Sequence, residues 1–210
     1  MSVGRSVVSG GLATAFVAVA LVASGAEEQA FAGRAVRRDV SDARGNRFAV
    51  TVTPPADRAV DTRFFDAIEV TDGESGAVDA ATADAGGEPV DVSGYVVELE
   101  RLSAAATCTT QISLKTKPVN LAGKKTFSVT SSAPPIFAAV TTFPKSGNVD
   151  ALVLDGSTPC NSSTKAAGSL DNATCVSSTC TGSSILIGQV KNPATSSAQY
   201  VAAFNFVFSN

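Results

Sequence analysis

The sequence predicts an all-β, mainly antiparallel protein whose folded part is a β-sandwich or a barrel-like domain. Apolar residues recur with a period of two in short runs, roughly ten residues apart, with Gly, Pro and Asn between them. No stretch combines a sustained 3.6-residue period with helix caps. An even set of cysteines adds disulfide-stapled loops to this prediction; the four are Cys108, Cys160, Cys175 and Cys180.

The first 26 residues are typical of a cleavable secretory signal. Arg5 supplies a positive start, Leu12–Ala23 is a twelve-residue apolar run, and small residues at 24–26 suit cleavage. We therefore expect a secreted or cell-surface protein. The alternative is a retained membrane anchor, because residues 7–26 are uncharged and just long enough to span a bilayer. Membrane contact is expected only in that case.

Charge divides the remaining chain into two parts. Residues 27–101 carry eight Arg and 16 acidic residues, whereas residues 102–210 carry seven Lys and three Asp. The shift suggests a mobile polar lead at 27–45, an acidic β-containing segment at 46–101, and a Ser/Thr-rich β domain at 102–210 with two disulfides. A disordered loop is predicted at 72–88, which is rich in Gly, Ala and acidic residues. One domain with a chance charge gradient is the alternative.

Strands are predicted in order along the chain. Residues 47–53 (RFAVTVT) alternate apolar and polar side chains, and Pro54-Pro55 ends that strand. Residues 63–70 fit either a strand or a short helix, and 90–100 place Tyr95, Val97 and Leu99 on one face. The region 156–184 is predicted to be a long polar loop. The other predicted strands lie at 110–115, 125–130, 136–143, 149–154, 185–190 and 200–208.

The cysteine spacing permits three disulfide connectivities. Cys175 and Cys180 are five residues apart, a natural separation for a loop staple, and that pairing would leave Cys108 with Cys160. A zinc site is disfavoured because no C-x₂-C knuckle is present.

Composition excludes several chemistries. The chain has no His, so Ser-His-Asp and Cys-His hydrolases and imidazole metal sites are excluded. A net charge of −3 argues against nucleic-acid binding. Paired carboxylates remain the candidates for a His-independent glycosidase, namely Glu98 with Glu100 and Asp150 with Asp155.

The acidic loop raises the question of calcium, since exported β domains bind it through carboxylate oxygens. Its acids lack the D-x-D-x-D-G spacing, and no cofactor is predicted. Asn161 and Asn172 lie in N-glycosylation sequons. The acids are Asp72, Glu74, Asp79, Asp84 and Glu88.

The C-terminal run is apolar on both faces, which predicts a central core strand. The alternative is a strand that pairs with a neighbouring subunit, with the mobile lead at 27–53, which contains RFAVTVT, as the donated strand. The residues of that assembly surface would be Phe48, Val50, Val52, Phe204, Phe206 and Phe208.

These observations predict an exported, non-catalytic structural or adhesive subunit of a surface, with itself or another surface protein as its partner. The alternatives are a monomeric extracellular ligand-binding module, a membrane-tethered accessory subunit, and the His-independent glycosidase.

Overall fold

The computed structural model describes residues 31–41, 45–72, 78–84, 86–102, 109–176 and 185–209. These residues form mostly β-strands in two sheets, with little helix. The helical pieces are a 3-10 helix at Thr62–Asp66 and a single α-helical turn, α1, at Ala80–Ala83. The all-β prediction is therefore confirmed.

The strands are numbered in chain order. They are β1 (Val36–Ser41), β2 (Arg47–Thr53), β3 (Ile68–Asp72), β4 (Val90–Asp91), β5 (Val96–Arg101), β6 (Thr109–Thr116), β7 (Val119–Leu121), β8 (Thr126–Ser131), β9 (Phe137–Ser146), β10 (Asp150–Asp155), β11 (Thr158–Ser163), β12 (Asp171–Val176), β13 (Leu186–Lys191) and β14 (Ala198–Ser209).

Sheet 1 has the strand order β1-β2-β5-β8-β13-β10-β11. Its neighbours are antiparallel except for β5 and β8, which run parallel. Sheet 2 has the order β12-β9-β14-β6-β3. The short strand β7 also pairs with β14, and β4 pairs with β7. The prediction of a mainly antiparallel protein is confirmed.

Side chains from the two sheets meet in one hydrophobic core. The ring of Phe127 on β8 meets the ring of Phe204 on β14 edge-to-face, with centroids 5.4 Å apart. Phe64, from the 3-10 helix, packs against Phe127 at 6.0 Å and against Tyr95 at 5.8 Å. Such aromatic pairs add roughly 0.5–1.5 kcal/mol each to the stabilisation from buried area. The 3-10 helix thus contributes its one fully buried ring directly to the core.

The boundary in charge near residue 101 does not coincide with a boundary between sheets. Sheet 1 joins β2 and β5 from the acidic part to β8 and β13 from the Lys-bearing part. Sheet 2 joins β3 to β6 in the same way. The described residues of both parts share the same core.

Three stretches predicted to be loops contain regular structure. Residues 36–41 of the lead form β1, because Val36 and Val40 pack against the core. Residues 78–84 of the acidic loop include α1, with Val78 and Ala83 buried. The polar loop at 156–184 contains β11 and β12. The strands β1, β11 and β12 were not predicted because their sequences contain few large apolar residues. All three are outer strands of their sheets, where few such residues are needed.

The region 63–70, which fits a strand or a short helix, forms the 3-10 helix followed by β3. Asp61 ends the preceding extended segment, and its side chain accepts a hydrogen bond from the backbone N–H of Arg63. The predicted central position of the C-terminal strand is confirmed, because β14 lies between β9 and β6.

Candidate functional site

The disulfide joins Cys160 on β11 to Cys175 on β12. The expected short staple between Cys175 and Cys180 is therefore wrong, and so is a bridge from Cys108 to Cys160. The fold explains the observed pairing, because β11 and β12 are the outer strands of sheets 1 and 2 and contact each other. Cys108 and Cys180 lie outside the described residues.

The disulfide therefore links the two sheets covalently. Cys160 is exposed, whereas Cys175 faces the core and is 4% exposed. The Asn161 side chain adds a second link between the same strands, because its Nδ2 donates to the backbone oxygen of Thr174 at 2.9 Å. A glycan attached at this nitrogen would compete with that hydrogen bond. The second sequon residue, Asn172, is exposed and donates to Thr141 Oγ1 at 3.0 Å.

The six residues of the predicted assembly surface lie inside this chain's own core. Five are fully buried and Phe208 is 8% exposed. Both edges of β2 are hydrogen-bonded within sheet 1, and both edges of β14 within sheet 2. These residues therefore form no exposed surface in the described chain; they are Phe48, Val50, Val52, Phe204, Phe206 and Phe208.

The predicted carboxylate pairs differ in their surroundings. Glu98 and Glu100 lie on the outer side of β5, and Glu100 forms a 2.7 Å ion pair with Arg37 on β1. Asp155 is exposed at the far end of β10, whereas Asp150 at its start is only 9% exposed. Neither predicted pair is among the residues that line the cleft beside Arg63 and Glu88.

The acids of the 72–88 loop are used in separate local contacts. Asp79 caps α1 by accepting from the Thr82 N–H at 2.9 Å. Asp84 lies 3.6 Å from Lys145, and Glu88 pairs with Arg63 at 2.8 Å. Glu74 and the side chain of Asp72 lie outside the described residues. Across the residues that the structure describes, no three His, Cys, Asp or Glu side chains converge as metal ligands.

An arginine cluster, which the sequence did not reveal, covers Tyr95. Arg58 stacks on the Tyr95 ring at 4.9 Å and contacts Asp91 Oδ2 at 2.6 Å. The Tyr95 hydroxyl accepts a 2.7 Å hydrogen bond from the backbone N–H of Asp61. Arg63 joins Asp61 to Glu88 through ion pairs of 2.7 and 2.8 Å. The cluster thus anchors the segment before the 3-10 helix to the start of β5.

Electrostatics in the arginine cluster favour ionised carboxylates. The hydrogen bond from Arg63 lowers the pKa of Asp61 from its usual value, against an opposing effect of burial. Burial acts to raise the pKa of Asp91, but the hydrogen bonds from Ser93 and the charge of Arg58 lower it overall. Burial raises the pKa of Tyr95.

An open cleft of about 250 Å³ adjoins the arginine cluster. Arg63 and Glu88 belong to both, and Asp66 and Lys117 add one charge of each sign to its lining. The two acidic side chains and two basic side chains balance each other. The cleft therefore does not select ligands of one charge.

A second polar cluster lies where the chain crosses between the sheets. The chain crosses from β9 in sheet 2 to β10 in sheet 1, and Asp150 is the first residue of β10. It later crosses back from β11 in sheet 1 to β12 in sheet 2, and Asp171 is the first residue of β12. Asp171 Oδ1 accepts from Ser163 Oγ at 2.5 Å and from the Lys165 N–H at 2.9 Å. A carboxylate from sheet 2 thus holds the end of a strand from sheet 1.

Asp171 and its cross-strand neighbour Thr142 are both 0% exposed. Within the described part of the chain, Asp171 Oδ2 and Thr142 Oγ1 have no hydrogen-bond partner. Sequence reasoning missed Asp171 because it lies in a region predicted to be a loop. Its burial follows from long-range pairing of β12 with β9, which no local pattern reveals.

No protein-family model matches the chain, and no curated protein matches its sequence. Among the residues that the structure describes, no helix is long and apolar enough to cross a membrane. The segment 7–26, on which the anchor hypothesis depends, lies outside those residues.

Proposed function

We propose that the chain is an exported, non-catalytic β-sandwich domain that serves as a structural or adhesive subunit on a surface. The observation that carries this proposal is the disulfide between Cys160 and Cys175, which clamps the outer strands of the two sheets together. Structural disulfides persist in oxidising compartments and are rare in the cytosol. The signal-like segment at 1–26 favours the same compartment.

The pairing of β2 and β14 supports a subunit that folds without a donated strand. Both strands are fully paired within the chain, so the core is complete without a neighbour. The outer strand β1 carries Arg37, Arg38 and Asp39, and charged side chains on an outer strand discourage further strand pairing. We therefore propose that any assembly uses exposed side chains and loops rather than addition of β2 or β14 to another copy.

The compartment is tested by blocking free thiols in intact cells with a maleimide, followed by non-reducing mass analysis. We expect Cys160 and Cys175 to resist labelling until a reductant is added, and the protein to fractionate with the cell surface or the medium. Full labelling of both cysteines without reductant, together with cytosolic fractionation, would overturn the proposal.

The role is tested by deleting the gene and measuring surface attachment and surface ultrastructure. Complementation with the wild-type chain should restore both properties. Complementation with the double variant Glu98→Gln, Glu100→Gln should restore them equally, because the proposal gives these carboxylates no chemical task. Loss of function in that variant, with stability unchanged, would instead favour the glycosidase hypothesis.

A further inference from the structure

The two N-glycosylation sequons lie on the two strands that the disulfide joins. Asn161 belongs to β11 and Asn172 to β12, and both side chains are exposed. A sequon also requires Ser or Thr two residues after the Asn. That requirement implies that the hydroxyl takes part in recognition by the transferase. The two sequons can therefore be compared by the surroundings of both side chains.

The sequon of Asn172 presents both of its groups to solvent. β12 is the end strand of sheet 2, and its side chains alternate between the core and solvent. Asn172 and Thr174 are two residues apart, so both point outward from the same face. Their neighbours in register are small, namely Thr141 beside Asn172 and Ala139 beside Thr174. Asn172 Nδ2 uses one of its two hydrogens toward Thr141 Oγ1, at 3.0 Å, which leaves the other for substitution.

The sequon of Asn161 is held by the fold. Ser163, which supplies its hydroxyl, is half-buried and donates to Asp171 Oδ1 at 2.5 Å. Asn161 Oδ1 accepts from the Ser162 N–H at 2.8 Å, and Asn161 Nδ2 donates to the Thr174 backbone oxygen at 2.9 Å. All three polar atoms of the two sequon side chains are thus engaged. A transferase would have to break the bond from Ser163 to a fully buried carboxylate before it could read this sequon.

We propose that Asn172 carries an N-linked glycan in the exported protein and that Asn161 stays unmodified. The proposal rests on the export inferred above. The donor is a lipid-linked sugar phosphate: the bond from sugar C1 to the phosphate oxygen breaks, the bond from C1 to Asn172 Nδ2 forms, the Nδ2 proton is lost, and the lipid phosphate leaves. A glycan is bulky and hydrophilic. At Asn172 it keeps the outer face of β12 out of close contacts between subunits.

The test uses the mature protein isolated from its own cell surface or medium. Trypsin cleaves after Lys145, Lys165 and Lys191, so the two sequons fall on separate peptides, 146–165 and 166–191. After reduction of the disulfide, tandem mass spectrometry locates any attached saccharide. We expect the peptide 166–191 to carry a saccharide on Asn172 in most molecules, and the peptide 146–165 to have the mass of its unmodified sequence.

Variants test the assignment and its reason. Asn172→Gln and Thr174→Val should each abolish the saccharide, whereas the matched control Asn161→Gln should carry it as the wild-type chain does. All three changes are at exposed side chains, so folding should be retained. The double variant Cys160→Ser, Cys175→Ser releases β11 from β12 and should raise the occupancy of Asn161.

Two results would overturn the proposal: an unmodified Asn172 in exported protein, or a saccharide on Asn161 in the wild-type chain. Neither result would bear on export itself, which is measured by fractionation. Failure of export is recognised separately, as cytosolic protein that retains residues 1–26. In that case the same peptides are analysed from the chain fused to a proven secretory signal, and an unmodified Asn172 there overturns the proposal.

Discussion

Gly188 on β13 lies directly against the ring of Phe204 on β14, across the interface between the two sheets. A Cβ atom built on Gly188 would come within 2.8 Å of both Phe204 Cδ1 and Val140 Cγ2. Real Cβ contacts of that length essentially do not occur, so either the ring or the sheets would have to move. The absence of a side chain at 188 therefore sets the spacing of the sheets at this point.

Gly188→Ala should destabilise the protein by about 1–3 kcal/mol, the usual range for overpacking a core. The measurement is urea unfolding at equilibrium. Gly86→Ala is the control, because a Cβ there meets nothing within 4 Å, and it should leave stability within about 0.5 kcal/mol of wild type. Combining Gly188→Ala with Phe204→Leu should recover part of the loss. Equal stability of Gly188→Ala and Gly86→Ala would contradict this packing.

The burial of β14 gives a second prediction, which tests whether the Phe206 side chain stabilises the core of this chain or forms a contact between chains. Phe206→Ala should cost about 3–5 kcal/mol, because the side chain is fully buried between the sheets. Val176→Ala, at a side chain that is 71% exposed, should change stability by less than about 0.5 kcal/mol. If Phe206→Ala instead left unfolding unchanged and altered only the size of the particle in solution, Phe206 would be an assembly residue.

The inter-sheet disulfide gives a third prediction. Its cysteines are 15 residues apart, a loop for which chain entropy predicts a contribution of about 3 kcal/mol. The double variant Cys160→Ser, Cys175→Ser should lose about that much, and dithiothreitol should destabilise the wild-type chain by a similar amount. The variant Cys108→Ser, Cys180→Ser should retain one disulfide by non-reducing mass analysis. Loss of that disulfide would contradict the Cys160–Cys175 pairing.

The sequence was informative where the buried face of a strand carries large apolar side chains. Period-two alternation placed β2 at its observed bounds, and Val97 and Leu99 of β5 face the core as predicted. The apolar run at the C-terminus correctly indicated a central strand. Such patterns are local, because each residue's face follows from its own position in the strand.

The candidate site could not be predicted in the same way, because it depends on which strands become neighbours. Asp171 and Cys175 lie in a polar stretch whose burial arises only when β12 pairs with β9. Local spacing favoured the Cys175–Cys180 staple, whereas the fold places Cys160 beside Cys175. Arg58 likewise has no local signal, since its partner Asp91 is 33 residues away.

The opposite pKa shifts of Asp91 and Asp150 predict opposite effects of pH on two matched variants. The pKa of Asp91 is lowered in the folded chain, so its ionised form stabilises folding above its unfolded-state pKa near 3.8, and this contribution is lost as pH falls through the lower folded value. The pKa of Asp150 is raised, so its ionised form destabilises folding at neutral pH, and the penalty disappears as acid protonates it.

In metal-free buffer, Asp91→Asn should therefore be less stable than wild type at pH 7, and the difference should shrink toward pH 2. Asp150→Asn should be more stable than wild type at pH 7, with a difference that also closes as pH falls. Urea unfolding between pH 2 and pH 8 measures both, with the exposed Asp155→Asn as a control that should track the wild-type curve. A stabilising effect of Asp91→Asn at pH 7, or a destabilising effect of Asp150→Asn at the same pH, would show that the assigned electrostatics are wrong.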